Sequence, residues 1–184
     1  FFVFINLIFL LAVFYLYRKH LVGNDSTISE WIINYQGGFT RRGFGGEIGM
    51  TLSNFLDISL RRSIFLIQTI IHTAYLGLIY FYFKDFKPNI VQKFALYAPI
   101  FLLYPLAELE ALGRKEIILF LFFLTTIFFS AKKYSAKIIN YIIFFGSPIV
   151  CLIWEQVVLF FPFFLTVFII KNNLKTFNEV FKNH

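Results

Sequence analysis

Six apolar runs, separated by short polar segments, dominate the sequence. They cover residues 1–17, 63–83, 89–106, 113–130, 138–153 and 156–170. A helix rises about 1.5 Å per residue and the hydrocarbon core of a bilayer is about 30 Å thick, so roughly 20 apolar residues cross it. The first two runs meet this length and the others are shorter. The pattern predicts an all-α fold, a polytopic transmembrane helical bundle of about six spans or half-spans with an amphipathic external first loop.

Proline interrupts three of the shorter runs. The residues concerned are Pro99, Pro105, Pro148 and Pro162. Proline removes a backbone donor and kinks a helix, which a membrane tolerates where neighbouring helices or a cavity satisfy the freed carbonyl. The last two runs are therefore predicted to be re-entrant segments or one broken helix. Gly146-Ser147-Pro148 is a stronger break signal than Trp154-Glu155-Gln156.

Composition supports the membrane class. The chain of 184 residues is 59% hydrophobic, more apolar surface than a soluble domain of this size could bury. We expect one transmembrane domain over residues 1–184. Because the chain opens inside an apolar run and ends shortly after another, it is predicted to be a fragment of a longer protein. Its single cysteine, Cys151, excludes an internal disulfide.

The charged residues predict an orientation. With six spans, residues 18–62, 107–116 and 154–155 share one side, which carries eight cations and eight carboxylates. The other side carries nine lysines and two acids, and so holds the whole net charge of +7. The positive-inside rule makes that lysine-rich side, and the N-terminal end, cytoplasmic. Every arginine then lies on the extracytoplasmic face of a bacterial inner membrane, and the basic balance needs no nucleic acid to explain it.

The first loop holds a doubly basic, glycine-rich segment. Asp25 or Ser26 is a plausible N-cap for a short interfacial helix over residues 29–35, with Trp31 and Tyr35 as aromatic anchors. Arg41 and Arg42 follow, a pair suited to bidentate phosphate binding. The nearby glycines, including Gly38 and Gly43, would let backbone amides approach that phosphate. Alternatively, the arginines reach lipid head groups or pair with Glu47.

Residues 108–116 form a second charged segment. Glu108 and Glu110 point the same way only if the backbone is extended, and could then share a divalent cation. In a helix they diverge, and the segment is then a salt-bridged hairpin tip. Arg114 and Lys115 are candidate phosphate ligands.

Two polar residues lie within apolar sequence. Glu155 needs a partner, and the candidates are Arg41, Arg42 and Arg114. It is either half of a structural ion pair or a catalytic acid. His72 lies near the centre of the second span, where it either bonds a neighbouring helix or relays protons. The sequence contains no P-loop, Rossmann glycine pattern or hydrolase motif, which argues against nucleotide-driven and hydrolase chemistries.

The stretch from Glu30 to Glu47 resembles a loop of uncharacterised bacterial multi-pass proteins of envelope polysaccharide biosynthesis. The layout is also loosely similar to membrane glycosyltransferases of the type-C fold. That resemblance implies a glycosyltransferase or polymerase that uses polyprenyl-phosphate-linked sugars on the extracytoplasmic face. It further implies a catalytic acid in the first loop, where Asp25 and Glu30 lie and Glu47 follows.

Two alternatives from other classes stay open. The first is a transporter or flippase-like protein for an anionic lipid-linked substrate, in which His72 and Glu155 would line a common cavity and carry protons. The second is a non-catalytic membrane assembly subunit. An enzyme would instead gather its acids beside the arginine pair at one face. Membrane lipid and a polyprenyl-phosphate-linked sugar are the expected partners, and a divalent cation is a possible cofactor.

Overall fold

The computed structural model describes residues 1–22, 25–84, 89–98, 102–132 and 134–172. The helices are α1 (Phe2–Leu21), α2 (Ser26–Ile32), α3 (Gly43–Leu56), α4 (Leu60–Phe83), α5 (Ile90–Tyr97), α6 (Tyr104–Ala107), α7 (Leu109–Leu112), α8 (Glu116–Ala131), α9 (Ala136–Ile153) and α10 (Phe161–Lys171). A 3-10 segment, Glu155–Phe160, joins α9 to α10. The described residues contain no strand, which confirms the predicted all-α class.

Three helices, α1, α4 and α9, are long and apolar enough to cross a membrane. Helix α1 runs antiparallel to α4, with Ile5 packed near Leu76 at one end and Leu16 near Phe65 towards the other. Helix α8 lies against both α4 and α9 and is shorter, at 16 residues. Large apolar side chains such as Phe144, 74% exposed, point outwards from the bundle. These features indicate a membrane protein.

The third apolar run is broken in its described part. Its described part comprises α5, of eight residues, and α6, of four. Pro105 lies in the first turn of α6, where a proline costs no helical hydrogen bond. Pro99 lies outside the described residues. The described part of this run is therefore two short helices rather than one continuous helix.

The predicted break at Pro148 is wrong. Helix α9 continues through this proline and ends at Trp154, whose backbone is extended (φ −151°, ψ 101°). Gly146 serves packing rather than a turn, because a Cβ there would overlap the ring of Phe122 on α8. The sharp turn occurs instead at the segment that sequence reasoning ranked second.

The last two runs double back on each other. After the 3-10 segment, α10 returns along α9 until Asn172 meets Asn140 through amide contacts of 3.1 and 3.3 Å. At the same end, the ammonium of Lys171 donates to the carbonyl of Ser130 at 2.8 Å. The two runs are thus a helical hairpin, not one broken helix.

The second half of the first loop packs through glycine. Helix α3 buries Gly43, Gly45, Gly46 and Gly49. A left-handed residue, Asp57 (φ 53°), ends the helix, and α4 begins three residues later. The chain between the first loop and the second span is therefore two helices, and Gly49 of α3 lets Ile64 of α4 pack closely against it. This contact brings the first loop against α4 and α9.

Candidate functional site

Asp25 starts α2 and is fully engaged in doing so. Its carboxylate accepts hydrogen bonds from the N–H groups of Thr27 (3.0 Å) and Ile28 (3.2 Å). Its other oxygen lies 3.0 Å from the ammonium of Lys19. Burial raises the pKa of Asp25, but the bonds from Thr27 and Lys19 outweigh burial and hold it below its ordinary value. The predicted N-cap is confirmed, although α2 begins three residues before the predicted start.

Trp31 is an internal residue, so its prediction as an interfacial anchor is wrong. Its side chain is 1% exposed, and its indole N–H donates to the carbonyl of Gly113 at 2.7 Å. The side-chain amide of Gln68, on α4, donates to the same carbonyl at 3.1 Å. One carbonyl of the second charged segment is therefore fixed to both the first loop and α4.

Arg42 and Glu155 form a two-pronged ion pair. The Nε and Nη2 atoms of the guanidinium each donate to one carboxylate oxygen at 2.7 Å. The guanidinium carbon also lies 4.2 Å from the ring centre of Trp154. The hydrogen bonds from Arg42 hold the pKa of Glu155 at about 2, and those to Glu155 raise the pKa of Arg42. Of the three predicted partners of Glu155, Arg42 is the one found.

Lys115 connects the second charged segment to this pair. It has no exposed surface, and its ammonium donates to the backbone carbonyl of Arg42 at 2.9 Å. Arg42 has a left-handed backbone (φ 64°), a conformation unfavourable for a residue with a side chain, so the bond from Lys115 supports a strained turn. Burial lowers the pKa of Lys115 to about 8, although the negative charge of Glu30 opposes this effect.

The lowered pKa of Lys115 predicts a pH effect on stability. Between pH 8 and the ordinary lysine value of 10.5, the folded chain has lost this proton while the unfolded chain keeps it. Stability should therefore rise with pH across this window, by roughly 1–3 kcal/mol. Thermal unfolding of detergent-solubilised protein would measure the rise. The variant Lys115→Met should lack this increment, and an identical pH profile in the two proteins would contradict the assignment.

We define the charged cluster as Glu30, Arg41, Arg42, Lys115 and Glu155. Glu30 lies on α2, half-buried, and its charge raises the pKa of both Lys115 and Arg42. Arg41 is exposed, and its charge helps to lower the pKa of Glu155. Three cations thus face two carboxylates at the end of the bundle where α1 ends, α8 begins and α9 ends.

Glu30 is distinct among the carboxylates of the first loop. Asp25 is held by Lys19 and the start of α2, and Glu47 accepts the backbone N–H of Tyr35 at 3.3 Å. Glu30 has no hydrogen bond or ion pair to any residue in the part of the chain that the structure describes. Of the three predicted catalytic acids, it is therefore the one left free to act on a ligand.

The glycines predicted to cradle a phosphate are placed differently. The N–H of Gly43 donates to the carbonyl of Thr40 at 3.4 Å, and the ring of Tyr35 covers its α-carbon. Gly43 therefore packs rather than offers an amide, which corrects the prediction. Gly38 is exposed and left-handed (φ 114°), and it shapes the turn before Arg41.

The carboxylates proposed to hold a metal lie at the surface. Glu110 is in α7, so the backbone is not extended through both residues as a shared cation would require. Its side chain is 74% exposed and lies 3.9 Å from Arg114, which is equally far from Glu116. Within the described ranges, no three histidine, cysteine, aspartate or glutamate side chains group as metal ligands. Glu108 is exposed as well, and the segment has the geometry of a salt-bridged tip.

His72 lies apart from Glu155. Its ring is 4% exposed, and Nδ1 lies 2.8 Å from the carbonyl of Gln68 on the same helix. It lines a cavity with Arg114 and Glu116, and Glu155 is not among the residues that line it. This cavity, as the described residues form it, does not bring His72 and Glu155 together.

Three residues at the site escaped sequence reasoning. Trp154 stacks on Arg42, Gln68 bonds Gly113, and His20 contacts the Gln68 side chain at 2.7 Å. For Gln68 the sequence does hold a signal, because it lies four residues before His72 and shares its face of a helix. No protein-family model matches the chain, and neither a curated protein nor a solved structure matches it significantly.

Proposed function

We propose that this chain belongs to an integral membrane glycosyltransferase that takes a sugar from a polyprenyl-phosphate carrier on the extracytoplasmic face. The observation that carries the proposal is the convergence of residues 30, 42, 115 and 155 into one charged cluster. These residues come from three segments far apart in the sequence, yet Lys115 and Glu155 both bind Arg42 directly. An enzyme needs its acid beside its phosphate ligands, and this arrangement supplies both.

Arg41 and the outer edge of Arg42 are the proposed phosphate ligands. A guanidinium has five N–H donors, and Glu155 takes one from Nε and one from Nη2, which leaves three. Arg41 precedes Arg42 in the sequence and is exposed, and its guanidinium makes no hydrogen bond in the described chain. Glu155 and Lys115 would then be positioning residues that fix the direction of Arg42. The predicted contact of Lys115 with the phosphate is indirect in this arrangement, because its side chain is fully buried.

Glu30 is the proposed general base. Its carboxylate would take the proton of an acceptor hydroxyl while that oxygen bonds to the anomeric carbon of the sugar. The bond between the anomeric carbon and the phosphate oxygen breaks, and polyprenyl phosphate leaves with the electron pair. The cations of the cluster stabilise the charge that develops on the leaving phosphate.

Binding of the carrier tests the proposal directly. Arg41→Ala should weaken the affinity of the full-length protein in nanodiscs for polyprenyl phosphate by roughly 10–100-fold, since a charge-assisted hydrogen bond contributes about 1.5–3 kcal/mol. Native mass spectrometry would measure the bound fraction.

Arg18→Ala is the matched control for that measurement. Arg18 is also exposed, and it lies near the end of α1 without a charged partner in the described chain. The control should leave the affinity unchanged. Equal weakening by both substitutions would mean that the arginines merely attract lipid head groups, and the phosphate site would be rejected.

A further inference from the structure

A second polar site adjoins the charged cluster. A cavity of about 190 Å³ opens between α4, α6 and the start of α8. Its polar lining consists of His72, Tyr104, Arg114 and Glu116, and its apolar walls include Pro105 and Phe120. Ligand pockets for drug-sized molecules are about 300–1,000 Å³, so this cavity has room for a single small ring.

Two of the residues that line this cavity each have a hydrogen-bond acceptor with no partner among the described residues. A carbonyl can only accept, so the contact between His72 Nδ1 and the Gln68 carbonyl requires the proton to sit on Nδ1. The neutral ring then presents the lone pair of Nε2, although the side chain is 4% exposed. The Oε2 atom of Glu116 is buried and makes no hydrogen bond within the described chain. Buried polar atoms normally find partners, so these two acceptors suit a ligand that brings hydrogen-bond donors into the cavity.

The lining selects the chemistry of that ligand. Two unfilled acceptors need O–H or N–H donors, and the carboxylate of Glu116 disfavours a phosphate. Arg114 supplies donors for a ligand oxygen, while Pro105 and Phe120 offer an apolar face. A sugar ring has hydroxyl donors, oxygen acceptors and a C–H face, and it matches each part of this lining.

The chain relates this cavity to the phosphate site. Arg114 and Glu116 line the cavity, and Lys115 between them turns the other way to bind the carbonyl of Arg42. We infer that the cavity binds the sugar ring of the lipid-linked substrate, with His72 and Glu116 accepting its hydroxyl hydrogens. This inference rests on the proposed function and deepens it, because it names the group that the second charged segment recognises.

Carbethoxylation of His72 by diethyl pyrocarbonate provides the test, because the reagent attacks an unprotonated imidazole nitrogen that is accessible. The full-length protein in nanodiscs would be treated with and without octyl glucoside, and the His72 peptide followed by mass spectrometry. At ten times its Kd the glycoside should slow the modification about tenfold. The variant His72→Gln should lack the carbethoxylated peptide, which identifies the signal of His72 in the mass spectrum.

An amphiphile without a sugar is the matched probe. Octyl tetraethylene glycol ether has the same alkyl chain and should not protect His72. Glu116→Gln, which keeps the size of the side chain, should reduce protection by the glycoside. Equal protection by both amphiphiles, no protection by the glycoside, or an unreactive His72 would each overturn the inference.

A further variant separates this inference from the proposed function. Arg41→Ala should leave glycoside protection intact, because Arg41 does not line the cavity. If glycosides protect His72 while polyprenyl phosphate binding proves independent of Arg41, the sugar site stands and the phosphate site falls. If glycosides fail to protect His72 while Arg41→Ala weakens polyprenyl phosphate binding, the sugar site falls and the phosphate site stands.

Discussion

Glu30→Gln should abolish sugar transfer while the protein stays folded. A positioned general base contributes about 10²–10⁴-fold, and the amide cannot accept the acceptor's proton. Glu30 makes no hydrogen bond or ion pair to any described residue, so the isosteric change breaks no contact there. The assay is the release of polyprenyl phosphate from lipid-linked sugars, extracted from membranes of the source organism and added to proteoliposomes of the full-length protein.

Glu110→Gln is the control for that assay. It removes the same charge from a side chain that is 74% exposed and lies outside the charged cluster. The Glu110 variant should therefore transfer sugar at the normal rate. Full activity of the Glu30 variant would exclude this residue as the base. The phosphate site would survive that result, because it is tested by binding alone.

Gly46→Ala should have the largest effect on stability. The missing Cβ of Gly46 faces the backbone carbonyl of Ile33, and an added carbon would overlap that oxygen. The carbonyl oxygen of Trp31 lies only 2.9 Å from the same point. Because both obstacles are backbone, α2 and α3 must separate. We expect a loss of at least about 1–3 kcal/mol, or failure to fold.

Gly77→Ala isolates this packing effect from helix propensity. Gly77 lies inside α4, and apart from the backbone of its own helix no atom of the described chain lies within 4 Å of the place a Cβ would take. Alanine there should stabilise the helix by about 0.5–1 kcal/mol. The two tryptophans are both buried at the site, so their fluorescence during heating reports its unfolding. Similar unfolding midpoints for the two alanine variants would contradict the packing argument.

The long helices were predictable because a chain segment in lipid must form its own backbone hydrogen bonds. A run such as residues 63–83 must satisfy its backbone internally, and a helix is the local solution. The break in the third run was not predictable, because apolar composition does not reveal where a chain breaks within a bundle. The predicted break at Pro148 was wrong for a related reason, since a membrane helix tolerates a proline when neighbouring helices pack against it on both sides.

The candidate site was predictable in its charges but not in its framework. Glu155 had to find a cation, and Arg42 was among the three available. The sequence did not indicate that Trp31 is buried, because its hydrogen-bond partner is a backbone carbonyl at position 113, far along the chain. Nor could it distinguish glycines that bind a ligand from glycines that pack. That distinction depends on what lies opposite each α-carbon, and only tertiary structure supplies it.

The ion pair between Arg42 and Glu155 also has a consequence for biosynthesis. The two residues are 113 positions apart. At about 5–20 residues per second, synthesis of the intervening chain takes roughly 6–23 s. For that time Arg42 is present without its carboxylate, and a ribosome that stops before Glu155 yields a product with an unmatched guanidinium. Placement of Glu155 directly after α9 is therefore the step of assembly at which the charge of Arg42 is first paired.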